Sequence, residues 1–219
     1  MDPVRLRLPF DGRWLVQNSP ARRVPSHGTE LFGTALAIDF VAVGDRGRSA
    51  RRDLRTLLGA EPPERFVGFG APILAPCDGA VVRVHDGEPD HIARRSPLTL
   101  IPYALTQAGR VRRGPASIAG NHVTIRTPAA FVTLVHLRRG SLLVRPGDAV
   151  RVGQPIAACG NSGNSTEPHV HVQANDRLDL ATARALPLHF AGFREWPAGG
   201  STPREREGVP GERSIVAPA

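Results

Sequence analysis

Residues 161–173 read NSGNSTEPHVHVQ, and this stretch carries the most informative pattern in the chain. Its second half, PHVHVQ, alternates polar and apolar residues, which predicts a half-buried strand. Side chains two residues apart on a strand share a face, so His169 and His171 are predicted to lie side by side, with Val170 and Val172 in the core. Two imidazoles on one face suit metal binding coupled to proton transfer. Taken alone, an ordinary solvent-facing strand that happens to carry two histidines explains the run equally well.

Two other segments show the same alternation. The segment ALAIDF, residues 35–40, has apolar side chains on one face and Asp39 on the other, and His27 precedes it. The segment VTLVHL, residues 132–137, contains His136. One Asp oxygen and two His nitrogens are a common ligand set for catalytic zinc. Periodicity predicts the face that each side chain occupies but not which strands are neighbours, so spacing alone does not bring these residues together.

Taken together, these segments resemble the lysostaphin-type (LytM-like) zinc metallopeptidases, which cut peptide bonds in bacterial peptidoglycan. The matching pieces occur in the family's order along the chain. They begin with His27 followed by AIDF, continue through APILAPCDGAVVRV at 71–84 and GNHVTIR at 120–126, and end with the long run at 131–173. The resemblance covers roughly residues 8–175. Many motif elements recur in order, which is far more specific than an isolated HxH.

The resemblance implies a role for each candidate residue. His27, Asp39 and His171 are expected to bind Zn²⁺, while His136 and His169 are expected to line the active site as the unligated catalytic pair. Zinc lowers the pKa of a bound water from about 15.7 to about 7, and a histidine can accept or return a proton at neutral pH. The implied activity is that of a zinc-dependent endopeptidase acting on peptidoglycan cross-links or stem peptides. The alternative is a non-catalytic relative that binds the cell wall or activates another hydrolase.

The chain departs from the family pattern at one point. The best-known members place the first His and the Asp four positions apart, whereas His27 and Asp39 are twelve apart. We interpret the difference as a short loop added before the AIDF strand, with Glu30 as the alternative ligand in place of His27. Asn121 and Asn164 are predicted to contact substrate.

Composition predicts an all-β fold with short helices only in insertions, and the resemblance implies the compact antiparallel β-sheet sandwich of the lysostaphin-type peptidases. The 23 glycines and 21 prolines divide the chain into many short strands. Residues 1–26 are predicted to be an entry segment packed on the domain, and 27–190 to be the peptidase domain with insertions at 42–70 and 86–118. Residues 198–219 are rich in Gly, Pro and charge, which predicts a flexible tail.

Weak helical periodicity predicts short helices at 50–58 and 97–108, within the two insertions. Cys77 and Cys159 lie near predicted core segments. The sequence leaves open whether they form a disulfide or remain two buried thiols.

The formal net charge is +8, and all 28 basic residues are arginine. High-GC coding explains this bias without any function, and attraction to anionic cell-wall polymers explains it as well. Nucleic-acid binding is not expected, because aromatic residues make up only 5% of the chain and no basic run is interleaved with them.

Apolar runs are short throughout the chain. None approaches the roughly 18 residues that a membrane span requires, and the first 19 residues show no apolar signal-peptide core. A location in the cell envelope or outside the cell is therefore expected from the family resemblance alone. The sequence does not predict an oligomeric state.

Overall fold

The computed structural model describes residues 2–51, 56, 61–112 and 114–219. The strands are β1 Val4–Leu6, β2 Trp14–Gln17, β3 Ile38–Ala42, β4 Pro72–Leu74, β5 Gly79–His85, β6 Asn121–Arg126, β7 Phe131–Leu137, β8 Ala149–Val150, β9 Pro155–Ala158, β10 Val170–Asn175, β11 Leu188–Trp196, β12 Arg204–Gly208 and β13 Ile215–Pro218. The helices are α1 Pro97–Leu105, α2 Gln107–Arg112 and α3 Pro115–Ala119, with 3₁₀ turns at Leu31–Gly33 and Pro63–Arg65.

Within the described part of the chain, the main sheet has 11 strands in the order β1-β11-β13-β2-β3-β10-β7-β6-β5-β8, with β12 paired to β11, and β4 pairs with β9 in a small second sheet. Among the described residues, the strand pairs are antiparallel except for β1 with β11. The predicted all-β class is confirmed. The helix predicted at 97–108 is present as α1 and the start of α2, whereas most of the one predicted at 50–58 falls outside the described residues.

The predicted alternation is confirmed on the strands that carry the candidate residues. Val170 and Val172 on β10 and Ile38 and Phe40 on β3 are fully buried in the main hydrophobic core. Their neighbours at the intervening positions are therefore presented on the other side of the sheet, as the period of two requires. The polar candidate residues therefore lie on one face of the sheet, and the opposite face packs into the hydrophobic core.

The last strand corrects the prediction of a flexible tail at 198–219. Strand β13 lies inside the sheet between β11 and β2, and Val216 on it is fully buried. The segment is polar on average, but its four-residue strand Ile215–Pro218 supplies the apolar side chains that the sheet buries. Mean composition therefore gave the wrong result here, because a single short strand is enough to fix the end of the chain.

Aromatic packing joins both ends of the chain to the strand that carries Asp39. The rings of Phe10 and Trp14 stack at 4.3 Å, and Phe10 meets Phe40 edge-on at 5.0 Å. From the C-terminal part, Phe190 contacts Phe40 at 5.6 Å. Such pairs stabilise a fold beyond the apolar area that they bury, and here they hold β3 in place beneath the site.

Neither cysteine forms a disulfide. Cys77 and Cys159 are both free, and burial raises the pKa of the Cys77 thiol to about 12 and that of Cys159 further. Low thiolate content makes such side chains unreactive. Within the described ranges, no helix is long and apolar enough to cross a membrane.

His122 makes the stability of the fold depend on pH. It is buried opposite His85 on the β5–β6 rung, the two rings stack at 5.4 Å, and burial lowers its pKa to about 4. In the unfolded chain a histidine has a pKa of about 6.5. Between pH 6.5 and pH 4, His122 is therefore protonated in the unfolded chain but not in the folded chain. Stability is therefore expected to fall by about 3 kcal/mol as the pH decreases from 6.5 to 4.

Urea unfolding at pH 7 and pH 5 tests this expectation. The loss of stability between the two pH values should be smaller in His122→Gln than in the wild type, whatever the change in absolute stability. Leu143→Gln, at an exposed position without a titratable group, serves as the control and should keep the wild-type pH dependence. An unchanged pH dependence in His122→Gln would contradict the assignment.

Candidate active site

Two neighbouring strands bring Asp39 and His171 together. Strands β3 and β10 are antiparallel, with Asp39 directly opposite His171 in the register. Side chains at opposite positions of an antiparallel pair lie on the same face, about 4.5–5.5 Å apart at Cβ. The His171 Nδ1 atom is accordingly 2.9 Å from Asp39 Oδ1, and both residues are only 5% exposed.

His27 reaches the same carboxylate from the loop that precedes β3. Its Nε2 atom lies 3.0 Å from Asp39 Oδ2. One ligand atom from each of His27, Asp39 and His171 lies within 4.8 Å of the other two. The alternative ligand Glu30 is exposed and does not line the cleft. The geometry therefore favours His27 despite its unusual distance from Asp39 along the chain.

The hydrogen-bond network assigns the proton on His27. Ser26 Oγ lies 2.7 Å from the carbonyl of Ala37 and must donate its single proton to such an acceptor. It can therefore only accept from His27 Nδ1, 2.9 Å away, so Nδ1 carries a proton. Nε2 is the ring nitrogen that faces Asp39.

The same reasoning applies to His171. The amide nitrogen of Gln173 donates to the carbonyl of Phe32 and to Asn175 Oδ1, which fixes the orientation of the Gln173 amide. Its Oε1 atom, 2.9 Å from His171 Nε2, then accepts a proton from that nitrogen. Nδ1 of His171 therefore also faces Asp39 and is the nitrogen left for a metal.

A cation fits this arrangement. Nε2 of His27, Nδ1 of His171 and the Asp39 carboxylate converge in a small buried space. Metal-ligating histidines ordinarily donate their second nitrogen to a neighbouring oxygen, as His27 does to Ser26 and His171 does to Gln173. The donor set of two His and one Asp is also the kind that zinc binds.

His136 and His169 complete a group of four histidines. Their ring centroids are 4.6 Å apart, and that of His136 lies 6.0 Å from His171. The Nδ1 atom of His136 donates to the carbonyl of Ser162 at 2.9 Å, and that of His169 donates to the carbonyl of Glu167 at 2.8 Å. In both rings Nε2 is therefore the nitrogen left to accept a proton.

The backbone of His136 departs from a regular strand. Its φ is +63°, and it lies next to a register shift in the pairing of β7 with β6. Val135 and His136 both line the cleft, although successive residues of a regular strand point to opposite faces. The unusual dihedral thus turns His136 into the site, and strained residues of this kind are concentrated at functional positions.

The pKa values of Asp39 and His136 are both shifted downward, for different reasons. Burial would raise the pKa of Asp39, but neighbouring His27 and His169, with hydrogen bonds from His171 and His27, hold it well below the usual value. Asp39 Oδ2 also accepts a 2.7 Å hydrogen bond from Asn18. Burial, helped by His169 and His171, lowers the pKa of His136 well below 6.5. Asp39 is therefore an anion and His136 a neutral base at physiological pH.

These residues lie at the base of a cleft of about 350 Å³. His27, Asp39, His136, His169 and His171 all line it, together with the following residues of the surrounding loops and helices: Thr29, Leu31, Phe32, Val111, Pro115, Ile118, Asn164, Thr166, Glu167 and Leu180. The structure thus brings together all five residues for which the resemblance implied metal binding or catalysis.

The two predicted substrate contacts differ in outcome. Asn164 lines the cleft, where its Oδ1 accepts from Arg110. Asn121 is fully buried, accepts from the backbone of Gly87 and Glu88, and donates to two carbonyls. Contrary to the prediction, Asn121 is not brought to the cleft, because its amide ties the 86–88 turn to β6.

Three polar residues with a role in the site were not predicted. Gln173 shares the strand face of His169 and His171 by the same period of two, so alternation pointed to it. Ser26 is adjacent to His27 in sequence, although its contact with Ala37 depends on the fold. Asn18 reaches Asp39 with a backbone φ of +51° at the end of β2, and no local pattern indicates it.

Gln173 is expected to tune metal affinity without contacting the metal. Gln173→Leu removes the acceptor that orients His171, and losses of this type typically weaken metal binding about 10–100-fold. Competition with a chelating indicator measures the change, and Gln154→Leu at an exposed position is the matched control. Wild-type zinc affinity in Gln173→Leu would show that His171 needs no such support.

Comparison with known proteins supports the metallopeptidase assignment. Residues 103–180 match the model of peptidase family M23. The predicted family resemblance is confirmed. The M23 match contains His136, His169 and His171, whereas His27 and Asp39 lie before it.

Two curated relatives are each described as an uncharacterized metalloprotease. One, from Haemophilus influenzae, is 31% identical over 115 residues, which are 51% of this chain and 18% of the relative. The other, from Buchnera aphidicola, is 39% identical over 56 residues, which are 25% of this chain and 14% of the relative. The chain thus spans less than a fifth of the length of each.

Solved structures with a similar fold include the catalytic domain of the antimicrobial peptidase lysostaphin from Staphylococcus simulans. It is 15% identical, with 80% of this chain and 88% of that chain covered at a TM-score of 0.40. A zinc-containing peptidase from Vibrio cholerae is 20% identical, with 68% and 45% covered at a TM-score of 0.34.

Proposed function

We propose that this protein is a zinc-dependent endopeptidase that hydrolyses peptide bonds in the cross-links or stem peptides of bacterial peptidoglycan. The observation that carries the proposal is the convergence of Asp39 and four histidines on one cleft. The match to peptidase family M23 supports the reaction class. The arginine-derived net charge of +8 suits attraction to anionic cell-wall polymers.

His27, Asp39 and His171 would hold the zinc ion. When bound, zinc would supply Lewis-acid activation of a water molecule and of the scissile carbonyl. The charge of Asp39 offsets part of the metal charge, and Ser26, Gln173 and Asn18 hold the three ligands in position. Hydrogen bonds of this kind ordinarily fix the orientation of metal-binding side chains.

The unligated histidines would transfer the protons. Nε2 of His136 or His169 accepts a proton from the attacking water, because Nδ1 in each ring is already occupied by a backbone carbonyl. The same pair, once protonated, can stabilise the developing oxyanion and return the proton to the leaving amine. Burial keeps His136 neutral and so ready to accept.

Digestion of purified peptidoglycan tests the proposal. The zinc-loaded protein should release fragments with new peptide termini, detected by mass spectrometry, and a chelator should stop the reaction until zinc is restored. Zinc-loaded protein that binds peptidoglycan but generates no new termini from any wall type would contradict it and support the non-catalytic alternative.

A further inference from the structure

The loop between His27 and Asp39 contributes an apolar surface to the cleft. It contains the 3₁₀ turn Leu31–Gly33, and Leu31 and Phe32 both line the cleft. The Leu31 residue is 53% exposed, so the protein itself does not bury this aliphatic side chain. Phe32 has a φ of +59°, and Gln173 donates to its carbonyl, which fixes the turn to β10.

The helices of the second insertion contribute another apolar surface. Val111 of α2 and Ile118 of α3 line the same cleft and are only partly buried. The carbonyl of Ile118 accepts from the backbone of Asn164, and Gly120 packs closely against Gly163. Because a side chain at Gly163 would collide with the Gly120 backbone, this contact holds α3 against the turn that leads to His169.

Two separate parts of the chain therefore place aliphatic or aromatic side chains beside the catalytic histidines. Ligand sites characteristically combine such an apolar lining with a few polar groups that fix orientation. A peptide made only of glycine has no side chain to bury against this lining. A stem peptide has the methyl groups of alanine and the aliphatic arm of its diamino acid.

Building on the proposed function, we propose that Leu31, Phe32, Val111 and Ile118 form an apolar subsite for the side chain of a residue next to the scissile bond. Bonds flanked by alanine or a longer aliphatic residue are then cleaved in preference to glycine–glycine bonds. The added loop after His27 is thus a determinant of substrate choice.

A peptide series tests the subsite. Pentaglycine is compared with peptides that carry a single alanine or leucine, in L and D forms, at each position. Wild-type cleavage is followed by mass spectrometry, and equilibrium binding is measured separately on zinc-loaded His169→Ala. We expect at least about a tenfold gain in kcat/KM for an aliphatic side chain over glycine at one flanking position, as is typical of hydrophobic pockets.

Surface variants show whether that preference comes from the proposed residues. Leu31→Ser and Ile118→Ser should each reduce the preference, while Leu143→Ser should leave it unchanged, since Leu143 is 67% exposed and lies outside the cleft. The exposure of Leu31 means that Leu31→Ser removes no core contact.

Cleavage and equilibrium binding, measured separately, distinguish a failure of the proposed subsite from a failure of the proposed endopeptidase activity. Cleavage without an aliphatic preference, or a preference that both serine variants retain, overturns the subsite and leaves the endopeptidase standing. Aliphatic-selective binding without cleavage supports the subsite and contradicts the endopeptidase. If no peptide is either bound or cleaved, the subsite and the endopeptidase are both overturned.

Discussion

His171→Ala is expected to abolish both stoichiometric zinc binding and peptidoglycan hydrolysis. The substitution removes one of the three proposed ligands and also leaves the buried Asp39 carboxylate without its 2.9 Å partner. The loss of activity should be at least as large as the roughly 10²–10⁴-fold effect of removing a catalytic acid or base, since zinc would supply the activation on which those groups act. Elemental analysis and kcat/KM on the same preparation measure the two effects.

The matched control for His171→Ala is His189→Ala. His189 lies on β11, outside the cleft, and its removal tests whether loss of any partly buried histidine lowers activity. Thermal unfolding of both variants without metal confirms that each is folded. Hydrolysis by a folded His171→Ala protein at the wild-type rate would contradict the ligand assignment.

His169→Ala and His136→Ala are expected to retain zinc and lose about 10²–10⁴-fold in kcat/KM. Neither side chain belongs to the ligand set, yet both present an Nε2 acceptor to the cleft, so their loss should affect proton transfer rather than metal binding. Zinc content and kcat/KM, measured side by side, separate this pattern from that of His171→Ala. Loss of zinc from both variants would place these histidines in the metal site instead.

The double variant His136→Ala/His169→Ala refines this prediction. If the two histidines act as one unit, removing both should reduce kcat/KM little further than removing either, because residues of a shared mechanism are strongly non-additive. Losses that multiply would instead indicate two independent functions.

Local periodicity predicted which face of each strand carries the candidate chemistry. The burial of Val170 and Val172 beneath His169 and His171 follows from the period of two, as does the separation of Asp39 from Ile38 and Phe40. The face of a strand on which a side chain lies depends on local alternation, so a few consecutive residues are enough to predict it.

Local sequence did not predict which strands pair or what individual polar side chains contact. The pairing of Asp39 with His171 joins residues far apart in sequence, and only the ordered family resemblance pointed to it. Asn121 was misassigned because a buried asparagine that satisfies backbone groups has the same sequence context as one that binds substrate. The burial of Val216 was missed because averaging over a polar segment hides one short strand.

The most direct test of the metal site is a zinc titration of metal-free wild type, His27→Ala and Glu30→Ala. Among the three proposed ligands, His27 departs from the family spacing and also lies outside the matched family segment. Its assignment is therefore the one that most needs a test. We predict one tight zinc per chain in the wild type and in Glu30→Ala, and its loss in His27→Ala. Tight one-to-one binding that persists in His27→Ala, or that is lost in Glu30→Ala, would contradict the site described here.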